Sequence, residues 1–244
     1  RRLEIVERNV FNAVMAKSSD KYEVEIKCLL GSKVAADDLI EKMHNMDPQT
    51  KKLGVQKQLN HYFEGGDLEM LNTNISPVLQ DKNDREKLST LAKEAKSFSL
   101  RTRQTNSKLL LIMKISIDDT SSDNGTARME FEAPVTDVTL DELDELVLKS
   151  GFSHQAKWSR EKTDYAYRGA EVTISFSPGY GYVAEFEKII TEPKLADKTK
   201  AELRQMMKEL EVEELPQDRL ARMFDYYNAN WQEYYGTDKV FEIL

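Results

Sequence analysis

The sequence predicts an α+β domain in which a mainly antiparallel set of strands is flanked by external helices. Three observations predict it: β-type runs follow one another in quick succession, the helical stretches between and after them are amphipathic, and several strands alternate charged with apolar residues. At 244 residues the chain is long enough to bury a substantial core.

The elements follow in order. Residues 1–19 read as a short leader helix, with Leu3, Val6, Val10 and Val14 at helical spacing. Residues 22–30 alternate as a strand, and 36–46 form a helix closed by Asp47-Pro48. A second strand spans 55–63, before the turn signal Gly65-Gly66-Asp67. A polar stretch over 72–82 leads to a helix over 83–96, with Leu88, Leu91 and Ala95 on one side. Strands then come at 97–103, 108–117 and 127–133, the last two joined by a hairpin loop over 118–126. Thr139 caps a helix running to Ser150, with Gly151 after it. Further strands are expected at 154–162, at 163–167 turning through Gly169 into 171–176, and at 180–190. Two helices, 196–210 and 217–235, complete the chain.

The composition limits the function. Lys+Arg 35 against Asp+Glu 43 gives a net charge of -8, which disfavours broad capture of nucleic acid or acidic membranes. No apolar run approaches a membrane span, no signal segment opens the chain, and the single cysteine, Cys28, excludes an internal disulfide. The expectation is a cytoplasmic protein, monomeric or homodimeric, with no membrane or stable nucleic-acid partner. Cys28 falls on an apolar strand face and reads as a small buried hydrophobe. His44, His61 and His154 lack metal-ligand spacing.

The informative feature is what alternates. Period-2 geometry puts Glu23, Glu25 and Lys27 on one face of their strand and Val24, Ile26 and Cys28 on the other. The pattern recurs with Arg101 and Arg103, with Arg128, Glu130 and Glu132, with Arg160 and Lys162, and with Glu185 and Glu187. Lys114 stands alone in an otherwise apolar strand and needs an inward partner. One such strand would read as a solvated outer face; five or six suggest one shared surface. If the apolar faces pack on the helices, the charged faces meet across a closed or nearly closed barrel, a polar-lined tunnel. Carboxylates suit a hard divalent cation, and lysine and arginine suit phosphate oxygens. A polyanion with its metal satisfies both signs, whereas burying so many ions for stability alone is at best neutral.

These residues resemble the CYTH, or triphosphate tunnel metalloenzyme, superfamily, which includes class IV adenylate cyclases and thiamine and inorganic triphosphatases. Glu23-Val24-Glu25-Ile26-Lys27 is similar to its ExExK motif, Gln58 to Phe63 to its second strand, and Leu100-Arg101-Thr102-Arg103 to its LRxR strand. Met113-Lys114 resembles its tunnel lysine, Arg128 to Glu132 its acidic strand, Arg160 to Tyr165 its basic element, and Glu185-Phe186-Glu187 its terminal ExE. The resemblance implies a closed, eight-stranded antiparallel β-barrel with external helices and a C-terminal helical tail. In residue numbers, it implies a leader over 1–20, a barrel over 21–192 with a helical insertion at 72–97, and packed helices over 193–244.

It further implies Mg²⁺ or Mn²⁺ on Glu23, Glu25, Glu130, Glu132, Glu185 and Glu187. Lys27, Arg101, Arg103, Lys114, Arg128, Arg160 and Lys162 would hold a triphosphate-containing small molecule. Lys27 and Glu132 are the expected catalytic groups, Glu132 positioning the attacking water. Two departures stand out: Ser175 occupies a place where many members carry an aspartate, and Lys162 replaces a usual arginine. The leading expectation is metal-dependent triphosphate hydrolysis. The alternatives are cyclic AMP formation, for which Tyr22, His61 and Tyr62 are the candidates to stack a purine, and a non-catalytic nucleotide or polyphosphate-binding module. The aromatic tail helix is expected to pack on the barrel or to close one tunnel end.

Overall fold

The computed structural model describes residues 22–95, 97–116 and 128–241, with only the backbone at Ser116, Arg128 and Met129. The expected leader helix over 1–19 and the loop over 118–126 lie outside the described residues, as does the side chain of Arg128.

Among the described residues there are eight strands: β1 (Tyr22–Gly31), β2 (Lys51–Gly65), β3 (Phe98–Thr105), β4 (Lys108–Ser116), β5 (Arg128–Val135), β6 (Phe152–Tyr167), β7 (Ala170–Ser177) and β8 (Gly181–Ile190). The helices are α1 (Lys33–Met46), α2 (Leu68–Ile75), α3 (Lys82–Glu94), α4 (Leu140–Lys149), α5 (Ala196–Glu209) and α6 (Gln217–Tyr234). All strand pairings are antiparallel, in the order β1-β5-β4-β3-β2-β6-β7-β8. The α+β class and the antiparallel strand set are therefore as the sequence predicts. β1 pairs with β8 along its length, from Tyr22↔Ile190 to Gly31↔Tyr182. It meets β5 only at Tyr22↔Met129 and Glu23↔Arg128.

Alternation decides where the core lies. Val24, Ile26 and Cys28 of β1, Val172 and Ile174 of β7 and Phe186 of β8 point outward onto α1 and α5, meeting Leu39, Met43, Leu203 and Met207. On the other half, Leu100, Leu111, Met113 and Phe131 point outward onto α2, α3 and α4 through Leu71, Leu88, Leu143 and Val147. Each fully buried Leu or Phe contributes about 2 kcal/mol of hydrophobic stabilisation. The apolar cores thus sit outside the sheet, which leaves its inner face to polar residues.

Two local features differ from expectation. Asp67, part of the turn signal, is the N-cap of α2, accepting from the Glu69 and Met70 amides, so a helix begins where only a polar stretch was foreseen. Gly66 before it has φ +75, and a Cβ there would lie 2.1 Å from the Phe152 ring, so the turn requires glycine. β6 is one strand of 16 residues rather than two, because Thr163 to Ala166 continue to pair with both β2 and β7. α3 lies inside the expected insertion at 72–97 and α2 overlaps its start; both pack on the outer face through Leu71, Ile75, Leu88 and Leu91, the exterior helical placement that was expected.

Candidate functional site

The β1–β8 register brings two acidic strands together. Antiparallel partners project on the same side, so Glu25↔Glu187 and Lys27↔Glu185 form two rungs of charge on the inner face. Glu23, Glu25 and Glu187 each offer a carboxylate oxygen within 4.8 Å of the others. Ligands around a six-coordinate Mg²⁺ at about 2.1 Å lie about 3 to 4 Å apart, so this trio could hold a hard divalent cation if its oxygens drew closer.

Their electrostatics are set by burial and by one another. Burial, then the Glu25 carboxylate, push Glu23 well above the usual carboxyl range, against the pull of Lys114. Burial and Glu25 likewise push Glu187 up to about 7. Burial also opposes charge on Glu25, but Lys114 and Lys27 outweigh it and hold that carboxyl well below its ordinary value.

The other predicted carboxylates have different company. Glu185 accepts from Lys27 Nζ at 2.5 Å and from Arg160 Nη1 at 3.0 Å, and these cations overcome its burial to hold it at about 2. Glu130 lies 3.3 Å from Arg101 Nη2, and Glu132, 44% exposed, lies 4.0 Å from Arg103 Nη1. Of the six glutamates the sequence assigned to metal, three therefore offer converging oxygens; Glu130 adjoins them through a side-chain hydrogen bond to Glu23, while Glu185 and Glu132 are turned to Lys27, Arg160 and Arg103. Lys114 finds its inward partner in Glu23, at 2.9 and 3.0 Å from the two oxygens.

Arg101, Arg103 and Arg160 gather on the inner face of β3 and β6. Burial, then the neighbouring Arg101 and Arg160, lower Arg103 to about 9. Lys162 pairs with Asp164 at 3.0 Å, and Asp164 also accepts from Thr173 Oγ1 at 2.6 Å. Ser175 is buried on the inner face, opposite Lys162. The carboxylate it lacks has inner-face neighbours in Asp164 and in Glu171, which stands opposite Glu187. The sequence reading missed both, although the phase of β6 and β7 could have found them.

It also missed the role of β2. Gln58, Asn60 and Tyr62 project inward and accept from Arg160 Nε at 2.8 Å, Arg103 Nε at 2.7 Å and Arg101 Nη1 at 2.7 Å. The same alternation corrects the purine-stacking candidates: His61 points outward, and its Nδ1 donates to Asp144 of α4 at 2.6 Å. Tyr22 packs among the outer apolar clusters, and of the three only Tyr62 lies on the inner face.

At one end of the inner face, Ala156 and Trp158 continue the inward row of β6, and α6 covers them. Tyr227 stacks on Trp158 with ring centroids 3.5 Å apart, and its hydroxyl donates to the Lys157 carbonyl at 2.9 Å. Tyr180 and Phe241 complete this aromatic group.

No family model matches the chain, and no curated relative matches it. Solved structures do. A conserved hypothetical protein from Pyrococcus furiosus superposes with TM-score 0.55 at 19% identity, over 78% of this chain and 91% of that one. The PH1819 protein from Pyrococcus horikoshii gives 0.55 at 20%, over 80% and 94%. A Vibrio parahaemolyticus protein, provisionally named an adenylate cyclase, gives 0.52 at 13%, over 78% and 89%. The chain thus shares its fold with these three structures. Among the described residues, no helix is long and apolar enough to cross a membrane.

Proposed function

We propose that this protein hydrolyses a triphosphate with the help of a divalent metal ion, inside a tunnel formed by closure of the strand ring at the short β1–β5 seam. The observation that carries the reading is the convergence of Glu23, Glu25 and Glu187 on the same inner face as the guanidiniums of Arg101, Arg103 and Arg160. The first set suits a hard cation and the second a polyanion. A metal salt of a triphosphate meets both.

Glu23, Glu25 and Glu187 would hold Mg²⁺ or Mn²⁺, which when bound neutralises phosphate charge and polarises the phosphoryl group. Arg101, Arg103, Arg160, Lys114 and Lys162 hold phosphate oxygens and stabilise the charge that develops on the leaving group. Lys27, between Glu25 and Glu185, contributes charge next to the metal trio. Glu132 is the most exposed of the six glutamates, and its ion pair with Arg103, at 4.0 Å, is a long one, which suits it to take the proton from the attacking water. Water oxygen bonds to phosphorus, the P–O–P bond breaks, and its electron pair leaves with the departing phosphate. The barrel over 21–192 carries this chemistry, and α6 in the tail covers one end.

The test offers purified protein inorganic triphosphate, ATP and thiamine triphosphate separately, with Mg²⁺ or Mn²⁺, and reads phosphate and cyclic AMP. Phosphate release that disappears in Glu25→Gln supports the proposal. Cyclic AMP with pyrophosphate replaces it with the cyclase reading, to which the name of the Vibrio structure also points. Binding without turnover replaces it with a non-catalytic nucleotide or polyphosphate module.

A further inference from the structure

β2 places three consecutive inward side chains, Gln58, Asn60 and Tyr62, against three arginines carried by the strands on either side of it. Asn60 faces Arg103 and Tyr62 faces Arg101 in the β2–β3 register, and Gln58 faces Arg160 in the β2–β6 register. Each pair is hydrogen-bonded, at 2.7, 2.7 and 2.8 Å. Arginine only donates, so the oxygen of each amide must be the atom turned to it. Gln58 is fixed further, because its amide nitrogen donates to Gln56 Oε1 at 3.1 Å. Gln58 and Asn60 are both 3% exposed, so neither amide is there for solvent.

The choice of partner atom matters. Arg103 and Arg160 are gripped at Nε, at the inner edge of the guanidinium, which leaves the two terminal nitrogens directed away from β2. The partners are neutral. A carboxylate at 58 or 60 would hold the same nitrogen but would cancel the charge, whereas an amide fixes direction and keeps the field. Three guanidiniums are thus held close together and oriented from β2, while Arg160 Nη1 and Arg101 Nη2 also meet the carboxylates of Glu185 and Glu130, with which a phosphate would compete.

We infer that Gln58, Asn60 and Tyr62 are positioning residues for an oxyanion ligand, each aiming one specific arginine at phosphate oxygens. The inference rests on the proposed triphosphate reading and adds to it a one-to-one assignment. Asn60 acts only through Arg103, Gln58 only through Arg160, and Tyr62 through Arg101.

Double-mutant cycles test the assignment. Inorganic tripolyphosphate is titrated calorimetrically into the full chain in a chelator, so that binding and not turnover is read, and melting temperature is recorded for every variant. Asn60→Leu is expected to weaken binding by roughly ten-fold or more, as for loss of a hydrogen bond to a charged group. In an Arg103→Gln background the same change should add no further loss, whereas in an Arg160→Gln background its full effect should remain. Gln58→Met should show the reverse pattern. A general packing role predicts equal losses in both backgrounds, and that result overturns the inference. So does wild-type affinity in Asn60→Leu and Gln58→Met while Arg103→Gln is weak, an outcome that leaves the triphosphate reading intact. Failure of the wild-type chain to bind tripolyphosphate with or without Mn²⁺ overturns both. If Asn60→Leu does not fold, the Gln58→Met cycle decides the same question.

Discussion

Glu25 and Glu187 stand opposite one another in the β1–β8 register, two carboxylates on one rung of the inner face. Their mutual repulsion, added to burial, holds Glu187 at about 7 against a usual 4.5. In the metal-free fold Glu187 keeps a proton that the unfolded chain has already lost, throughout the window from about 4.5 to about 7. Its contribution to stability therefore falls as pH rises through that window. A bound divalent cation removes the proton and reverses the trend. Melting with Mn²⁺ minus melting in chelator should give a larger difference at pH 8 than at pH 5; an equal difference at both would refute the trio as the metal site.

Glu185 predicts a different phenotype. Its two oxygens separately hold Lys27 and Arg160, both largely buried, so Glu185→Gln takes the carboxylate from Arg160 and one of two from Lys27, which keeps Glu25. The expected loss is roughly 3 kcal/mol of folding stability. Glu25→Gln, by contrast, gives up its attraction to Lys27 and Lys114 but relieves Glu23 and Glu187, and should abolish metal-dependent turnover at a smaller cost in stability than Glu185→Gln. Urea titration of both variants beside their activity separates the two roles.

Asp144 ties the tail to the barrel from outside. It accepts from His61 Nδ1 at 2.6 Å and Thr102 Oγ1 at 2.7 Å, and His61 Nε2 lies 2.8 Å from the Tyr235 hydroxyl just beyond α6. Asp144→Asn should lower stability by about 1 to 3 kcal/mol. It should also speed amide exchange around Tyr235 and Gly236 more than in β1 or β8. Uniform exchange changes would count against a local tie.

Gly179 is the contact between the β7–β8 turn and the tail. It has φ +84, and a Cβ there would lie 2.7 Å from both Phe241 and Tyr227 ring atoms. Gly179→Ala therefore meets backbone strain and a double clash at once. Loss of the Trp158 fluorescence environment, with Tyr227 shifted off its ring, is the expected signal; an unchanged emission spectrum would oppose it.

Much of this was legible because charge on a strand with an apolar opposite face has one economical explanation when it recurs. Lys114 shows the argument at its clearest, since its isolation demanded Glu23 or an equivalent partner. What was not legible follows from register. Whether Glu185 joins Glu23 or Lys27 depends on which rung it occupies, and alternation alone gives the face and not the rung. Gln58 and Asn60 escaped because neutral side chains carry no sign to pair by, and Asp164 and Glu171 because each lies among residues read for other roles. His61 was misplaced by one residue of phase, which sends a side chain to the opposite side of the sheet.

Cys28 points outward from β1 beneath the packed helices, 2% exposed, and burial pushes its thiol up to about 11. It is the chain's only cysteine. At neutral pH it is thus both hidden and protonated, and inert to maleimide while the protein stays folded. A second cysteine introduced on the exposed side of α6 would be labelled alone, giving a single attachment point for a fluorophore or spin probe in the otherwise native chain.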